Sequence, residues 1–176
     1  MTGRNCNRNG VWHTIMGASM LNGDETTLAD VLQEKGYKTG MFGKWHLGAD
    51  PDTQGFDVNI AGSHQGMTFH YFSPYKIKNI KDGEDGEYLT DRLTTEVIDW
   101  VKIKKKAPFF AYLPYYTVHT PYQAPAEIIE KYHRKGIEDK KQATYAAMVE
   151  LMDKNVGRIL KALETEGLTD NTLVIF

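Results

Sequence analysis

Lys44 and His46 stand two positions apart in the glycine-bracketed run Gly43-Lys44-Trp45-His46-Leu47-Gly48. In an extended loop, side chains at i and i+2 leave the same face, so an ammonium and an imidazole can converge on one anion. The ammonium offers three donors and the imidazole can give or take a proton, which suits a tetrahedral oxyanion whose ester bond must break. Spacing alone leaves this pair open between an anion site and loop decoration. A second imidazole, His119, follows the apolar run Phe109–Leu113 within Tyr115-Tyr116-Thr117-Val118-His119-Thr120-Pro121. With an unperturbed pKa of about 6.5 it can act as an acid, and on its own it can equally be a structural histidine. His13, His64, His70 and His133 lack metal-ligand spacing such as His-Glu-x-x-His, so zinc hydrolysis has little support and they are read as non-ligands. Cys6 is the single cysteine, which excludes an internal disulfide and any site of several cysteines for zinc or iron–sulfur.

These residues need elements to position them, and helix and strand patterns alternate along the chain. Thr26 or Thr27 reads as an N-cap, Leu28, Val31 and Leu32 mark a helical face, and Gly36 stands where a helix ends. Tyr37–Phe42 then reads as a strand running into the Lys44 loop. Residues 50–86, interrupted by Gly55, Gly62, Gly66, Pro74, Gly83 and Gly86, read as a surface excursion. Leu89, Leu93, Val97 and Trp100 or Val101 recur at helical spacing and end in Lys102, Lys104, Lys105 and Lys106, a solvated helix terminus.

Phe109–Leu113 reads as a buried strand closed by Pro114, and Pro125 opens a short helix to about Tyr132. A longer helix follows, with Tyr145, Met148, Val149, Met152, Val156, Ile159, Leu160 and Leu163 as its core stripe. Thr172–Phe176 has the β-branched, apolar pattern of a central parallel strand, and a chain stopping on such a strand reads as cut. The expected architecture is an α/β sandwich with a mostly parallel sheet between helices. Ligand sites in such sheets lie beyond the carboxyl ends of the strands, where both polar loops fall.

Composition bounds the function. A chain of 176 residues with 41% hydrophobic and 25% charged residues can bury the core of one domain, against disorder or coiled coil. The net charge of −2 provides no global field for nucleic acid or an anionic membrane, so any anion site must be local. No apolar run of about 18 residues is present, and the first ten residues lack the apolar core of a signal peptide.

The combination is more specific than its members. Thr2-Gly3-Arg4, the run Gly36–Gly48 with its Gly-Lys-Trp-His-Leu-Gly core, His119-Thr120-Pro121 with Pro125, and the ending Asn171–Phe176 occur in the order found in type I sulfatases. The chain resembles a formylglycine-dependent, arylsulfatase-type hydrolase over nearly its whole length. The resemblance implies an alkaline-phosphatase-like fold and makes residues 1–176 an interior fragment of one catalytic domain, truncated at both ends. In the family a Cys or Ser in Cys/Ser-x-Pro/Ala-x-Arg becomes formylglycine just before Thr-Gly-Arg. That nucleophile is therefore expected upstream of residue 1; Cys6 does not replace it, because Cys6-Asn7-Arg8-Asn9-Gly10 lacks the pattern. The metal ligands, for Ca2+, are likewise expected outside the fragment.

By the same resemblance Lys44 binds sulfate and the leaving-group oxygen, and His46 hydrogen-bonds the formylglycine hydrate. His119 protonates the departing alcohol, Ser63 contacts sulfate, and Arg4 has a structural or supporting role. The implied partner is a sulfated small molecule or glycan, with Tyr115, Tyr116, Tyr122 and Phe69 available to stack on a sugar. Nucleic acid and membrane are not expected, and a periplasmic or secreted location is implied. Two alternatives stay open: a phosphoester hydrolase of the same superfamily, and a non-catalytic homologue that binds sulfated glycans. The coding sequence immediately before Thr2 is expected to specify Cys/Ser-x-Pro/Ala-x-Arg. Sequencing that flank checks it, and a threonine nucleophile there would favour the phosphoester branch.

Overall fold

A computed structural model describes residues 1–14, 19–48 and 50–176. Helices α1 (Leu28–Glu34), α2 (Leu89–Lys104), α3 (Ala126–Arg134) and α4 (Lys140–Thr165) alternate with strands β1 (Lys38–Phe42), β2 (Val58–Ile60) and β3 (Phe109–Tyr112). Short 3-10 turns occupy Pro51–Gln54 and Thr169–Asn171. β1 is central and β2 and β3 pair parallel to it, with Met41 opposite Asn59 on one edge and Tyr112 on the other.

Successive strand residues point to opposite faces, and β1 shows what each face meets. Met41 packs with Ala29 of α1, Trp45 and Phe56, while Phe42 packs with Val97, Trp100 and Val101 of α2 and Leu163 of α4. Helices thus cover both faces, which is the expected sandwich. Because the strands are parallel, their carboxyl ends open on one edge of the sheet.

α1 begins as its sequence predicts. The Thr27 hydroxyl accepts from Asp30 N–H (3.2 Å) and the Asp30 carboxylate accepts from Thr27 N–H (2.8 Å), a reciprocal cap. Its predicted face is corrected, however: Leu28 and Val31 are exposed and Ala29 is buried, because the helix approaches β1 through its small residue. α2 forms as expected, with Leu89, Leu93, Val97, Trp100 and Val101 all buried.

Three other expectations are corrected. Residues 50–86 are no surface excursion: they contribute β2 and bury Phe56, Ala61, Tyr71, Tyr75 and Ile77. A three-residue strand shows no usable periodicity, and glycines between buried aromatics conceal a core segment. On α4, Met148 and Leu163 are buried, but Tyr145, Val149 and Leu160 are exposed. The buried stripe runs also through Leu151 and through Ala143, Thr144, Ala147 and Asn155, small or polar residues that let the helices come close. Asn155 is tolerated there because its amide donates to Asp91 (2.7 Å) and to the Leu151 carbonyl (2.8 Å). Finally, Thr172–Phe176 joins no ladder and exposes Leu173, Ile175 and Phe176; β1, flanked on both sides, holds the central position. No helix among the described residues is long and apolar enough to cross a membrane.

The join between β1 and the segment after β3 is set by Gly43, whose φ is +131°. A β-carbon there would lie 2.2 Å from the Pro114 carbonyl oxygen. Gly36, at φ +84°, has open space around the same position. Gly43→Ala is expected to destabilise the protein by about 3 kcal/mol, strain plus collision, and Gly36→Ala by about 1 kcal/mol, strain alone. Urea unfolding of both variants checks the difference.

Candidate active site

Past the end of β1 the backbone is held from both neighbouring strand ends. Gly43 N–H donates to the Ile60 carbonyl (2.8 Å) and Lys44 N–H to the Pro114 carbonyl (2.8 Å). Trp45 turns into the core against Phe56, with ring centroids 6.0 Å apart, between Lys44 and His46, which are half-buried. His46 N–H donates to the Ser63 carbonyl (3.0 Å). His46 itself is left-handed, at φ +61°, a conformation costing a non-glycine residue about 1 kcal/mol that its surroundings must impose. One of those surroundings is Gly66, where a β-carbon would sit 2.3 Å from His46 Cε1.

The electrostatics are those of a concentrated positive field. Burial lowers the pKa of Lys44, and no carboxylate among the described residues pairs with it. Burial first, then the charges of Lys44, His64 and His119, lower the pKa of His46. The two residues predicted from separate loops, Lys44 and His119, therefore act on one imidazole. Such a group favours its neutral form while the site is empty, and an arriving anion would favour the charged forms of both His46 and Lys44.

His119 sits in a turn closed by its own N–H donating to the Tyr116 carbonyl (3.1 Å). Its Nδ1 lies 2.7 Å from the Thr120 carbonyl oxygen, which can only accept. Nδ1 therefore carries hydrogen, and the exchangeable proton belongs to Nε2.

The other predicted residues fall as follows. Ser63 is buried beside His46 through its carbonyl, and its Oγ accepts from Gln65 N–H (3.1 Å), which leaves the hydroxyl hydrogen free to donate. Arg4 pairs with Glu25 (2.8 Å) near the start of α1. Tyr116 is buried and the Tyr115 hydroxyl contacts Thr94 (2.5 Å), so neither presents a ring to a sugar; Phe69 is exposed and Tyr122 half-buried against Tyr145. Cys6 is exposed.

Sequence reasoning missed His64, whose ring lies 5.8 Å from that of His46, edge to face. The signal was present: Gly62-Ser63-His64-Gln65-Gly66 is a second glycine-bracketed polar run beyond a strand. Among the described residues no group of three or more His, Cys, Asp or Glu side chains is placed to hold a metal ion.

A lysine and three histidines gathered beyond the carboxyl ends of a parallel sheet stand where α/β domains bind their ligands. Residues 1–176 match the Sulfatase family, and the chain belongs to that family. It is 31% identical to a sulfatase of Formosa agariphila, over 89% of this chain and 39% of that protein. It is also 31% identical to arylsulfatase J of Mus musculus, over 100% of this chain and 33% of that protein. The crystal structure of Ps i-CgsB in complex with k-i-k-neocarrahexaose superposes with a TM-score of 0.79 at 30% identity, covering 98% of this chain and 44% of that one. The chain spans about two fifths of the length of the curated relatives it matches.

The charge arrangement makes a prediction with a definite sign. Since Lys44 and His64 each disfavour a further positive charge on His46, Lys44→Met and His64→Ala should both raise its pKa, Lys44→Met by more. Bound inorganic sulfate should raise it too. NMR titration of the His46 ring in the three states checks all of these.

Proposed function

We propose that the full-length protein hydrolyses a sulfate monoester, using Lys44, His46 and His119 at the strand ends described above. The observation that supports this best is Lys44: a half-buried ammonium with no carboxylate partner among the described residues, set beside imidazoles in a chain whose net charge is −2. Such a charge is stabilised by an anionic ligand, and sulfate supplies one. Lys44 would hold a sulfate oxygen and, in the transition state, part of the charge developing on the leaving oxygen. His46, neutral by virtue of its lowered pKa, would accept or return a proton at the attacking group. Ser63 Oγ would add one neutral donor to the sulfate, while Arg4, paired to Glu25, would hold the N-terminal segment.

His119 would deliver its Nε2 proton to the departing alcohol, with the Thr120 carbonyl fixing Nδ1–H and so the direction of transfer. In the family reading the reaction also uses a formylglycine, made from a Cys or Ser, and Ca2+; together they would supply a nucleophile and offset sulfate charge. The described residues do not fit either group, since Cys6 lacks the modification pattern and no ligand set is present among them. A sulfated saccharide is the proposed substrate class, supported by the oligosaccharide complex of Ps i-CgsB and by Phe69, an exposed ring beside the Gln123 segment.

His119→Ala in the full-length protein is expected to reduce kcat/KM for an alkyl sulfate by about 10²- to 10⁴-fold, because a basic alkoxide needs a proton as it leaves. A nitrophenyl sulfate, whose leaving group is acidic, should lose far less. Lys44→Ala should slow both substrates, since the sulfate charge is common to them. Equal losses on both substrates for His119→Ala would remove the acid role from His119.

A further inference from the structure

Tyr71 is completely buried, in the segment where sequence reading placed a surface excursion. Its hydroxyl lies 2.7 Å from the Tyr116 carbonyl and 3.0 Å from the His119 carbonyl, so two oxygens at either end of one turn converge on a single donor. Nothing about core packing requires this; a phenylalanine would fill the same volume. Other bonds draw the same two segments together. Tyr116 hydroxyl donates to the Ala61 carbonyl (2.9 Å), Tyr71 N–H to Gln123 Oε1 (2.9 Å), and Gln123 Nε2 to the Phe69 carbonyl (3.2 Å). Tyr71 stacks on Tyr88, whose hydroxyl donates to the Gln123 carbonyl (3.0 Å). The bonds from Gln123 and Tyr116 fix the flanks of the 116–123 turn, whereas the Tyr71 hydroxyl reaches the residue that carries the imidazole. Burial raises the Tyr71 pKa well above the usual phenol range, so the hydroxyl keeps its hydrogen at any working pH.

We propose that Tyr71 is a positioning residue for the leaving-group acid: by holding the Tyr116 and His119 carbonyls together, its hydroxyl sets where the His119 imidazole meets the departing oxygen. This rests on the reading of His119 as general acid. A displacement of about 1 Å at a proton donor is enough to cost on the order of 10²-fold in rate. The effect must appear only where the proton is needed.

The test is kcat/KM of the full-length protein on an alkyl sulfate and on nitrophenyl sulfate, for Tyr71→Phe, His119→Ala and the double variant, assayed below the melting temperature of each. Tyr71→Phe is expected to lose about 10- to 100-fold on the alkyl sulfate and under about 2-fold on the nitrophenyl ester. The double variant is expected to match His119→Ala alone, since a hydroxyl that acts through His119 has nothing left to position. If His119→Ala is selective for the alkyl sulfate but Tyr71→Phe slows both substrates equally, or multiplies the loss in the double variant, Tyr71 is structural only and the inference is overturned while the acid role stands. If His119→Ala is itself unselective, the acid role and the inference fall together.

Discussion

Where a strand leaves a parallel sheet, its last carbonyls and amides lose their ladder partners, and in this protein they recover them from one another's loops. Gly43 and Lys44 donate to Ile60 and Pro114, His46 donates to Ser63, and tyrosine hydroxyls reach Ala61, Tyr116 and His119. A buried carbonyl or amide left without a partner costs about 1–3 kcal/mol, so these pairings are close to obligatory. Each of them also fixes a residue of the site or its immediate neighbour. The Lys44, Ser63–His64 and His119 loops are consequently parts of one bonded surface, and the histidines inherit their relative positions from backbone satisfaction.

Charge is arranged on that surface against the average of the molecule. The chain is slightly acidic overall, yet Lys44, His64 and His119 lie close enough to influence the His46 imidazole. Several basic residues elsewhere are paired: Lys131 and Lys154 share Glu150, Arg92 lies between Glu87 and Glu96, and Arg158 reaches Asp91. Glu150, with two lysines beside it, is held down to about 2. Lys44 differs from these in being half-buried beside imidazoles with no carboxylate partner among the described residues.

Much of this was legible in the residues. The cap at Thr27, the stop at Gly36, the stripe of α2 and the glycine-bracketed Lys44 run declare themselves because each depends on local rules. Other features did not, for distinct physical reasons. β2 is too short to show alternation, and the tyrosines of residues 50–86 are buried only because each hydroxyl finds a distant acceptor. The inner face of α4 is written in alanine, threonine and asparagine as much as in Met148, Leu151 and Leu163, and apolarity reveals only the latter. The β-branched run Thr172–Phe176 has strand composition, but composition alone does not pair a strand: the central place belongs to β1, and the run joins no ladder. His64 was passed over because metal spacing was asked of it, whereas its relation to His46 runs through a non-local backbone bond.

The pairing of β1 with β3 has a kinetic side. Lys38 meets Phe109 about 70 residues further along the chain, whereas α3 and α4 are neighbours in sequence as well as in space. Closing a long loop costs entropy before any contact compensates it, so helix pairs form early and the parallel sheet late. Lys44 and His119 hang from the two strands that close last. An anion that gathers them would bind only the finished fold, and so would slow its opening as well as stabilise it.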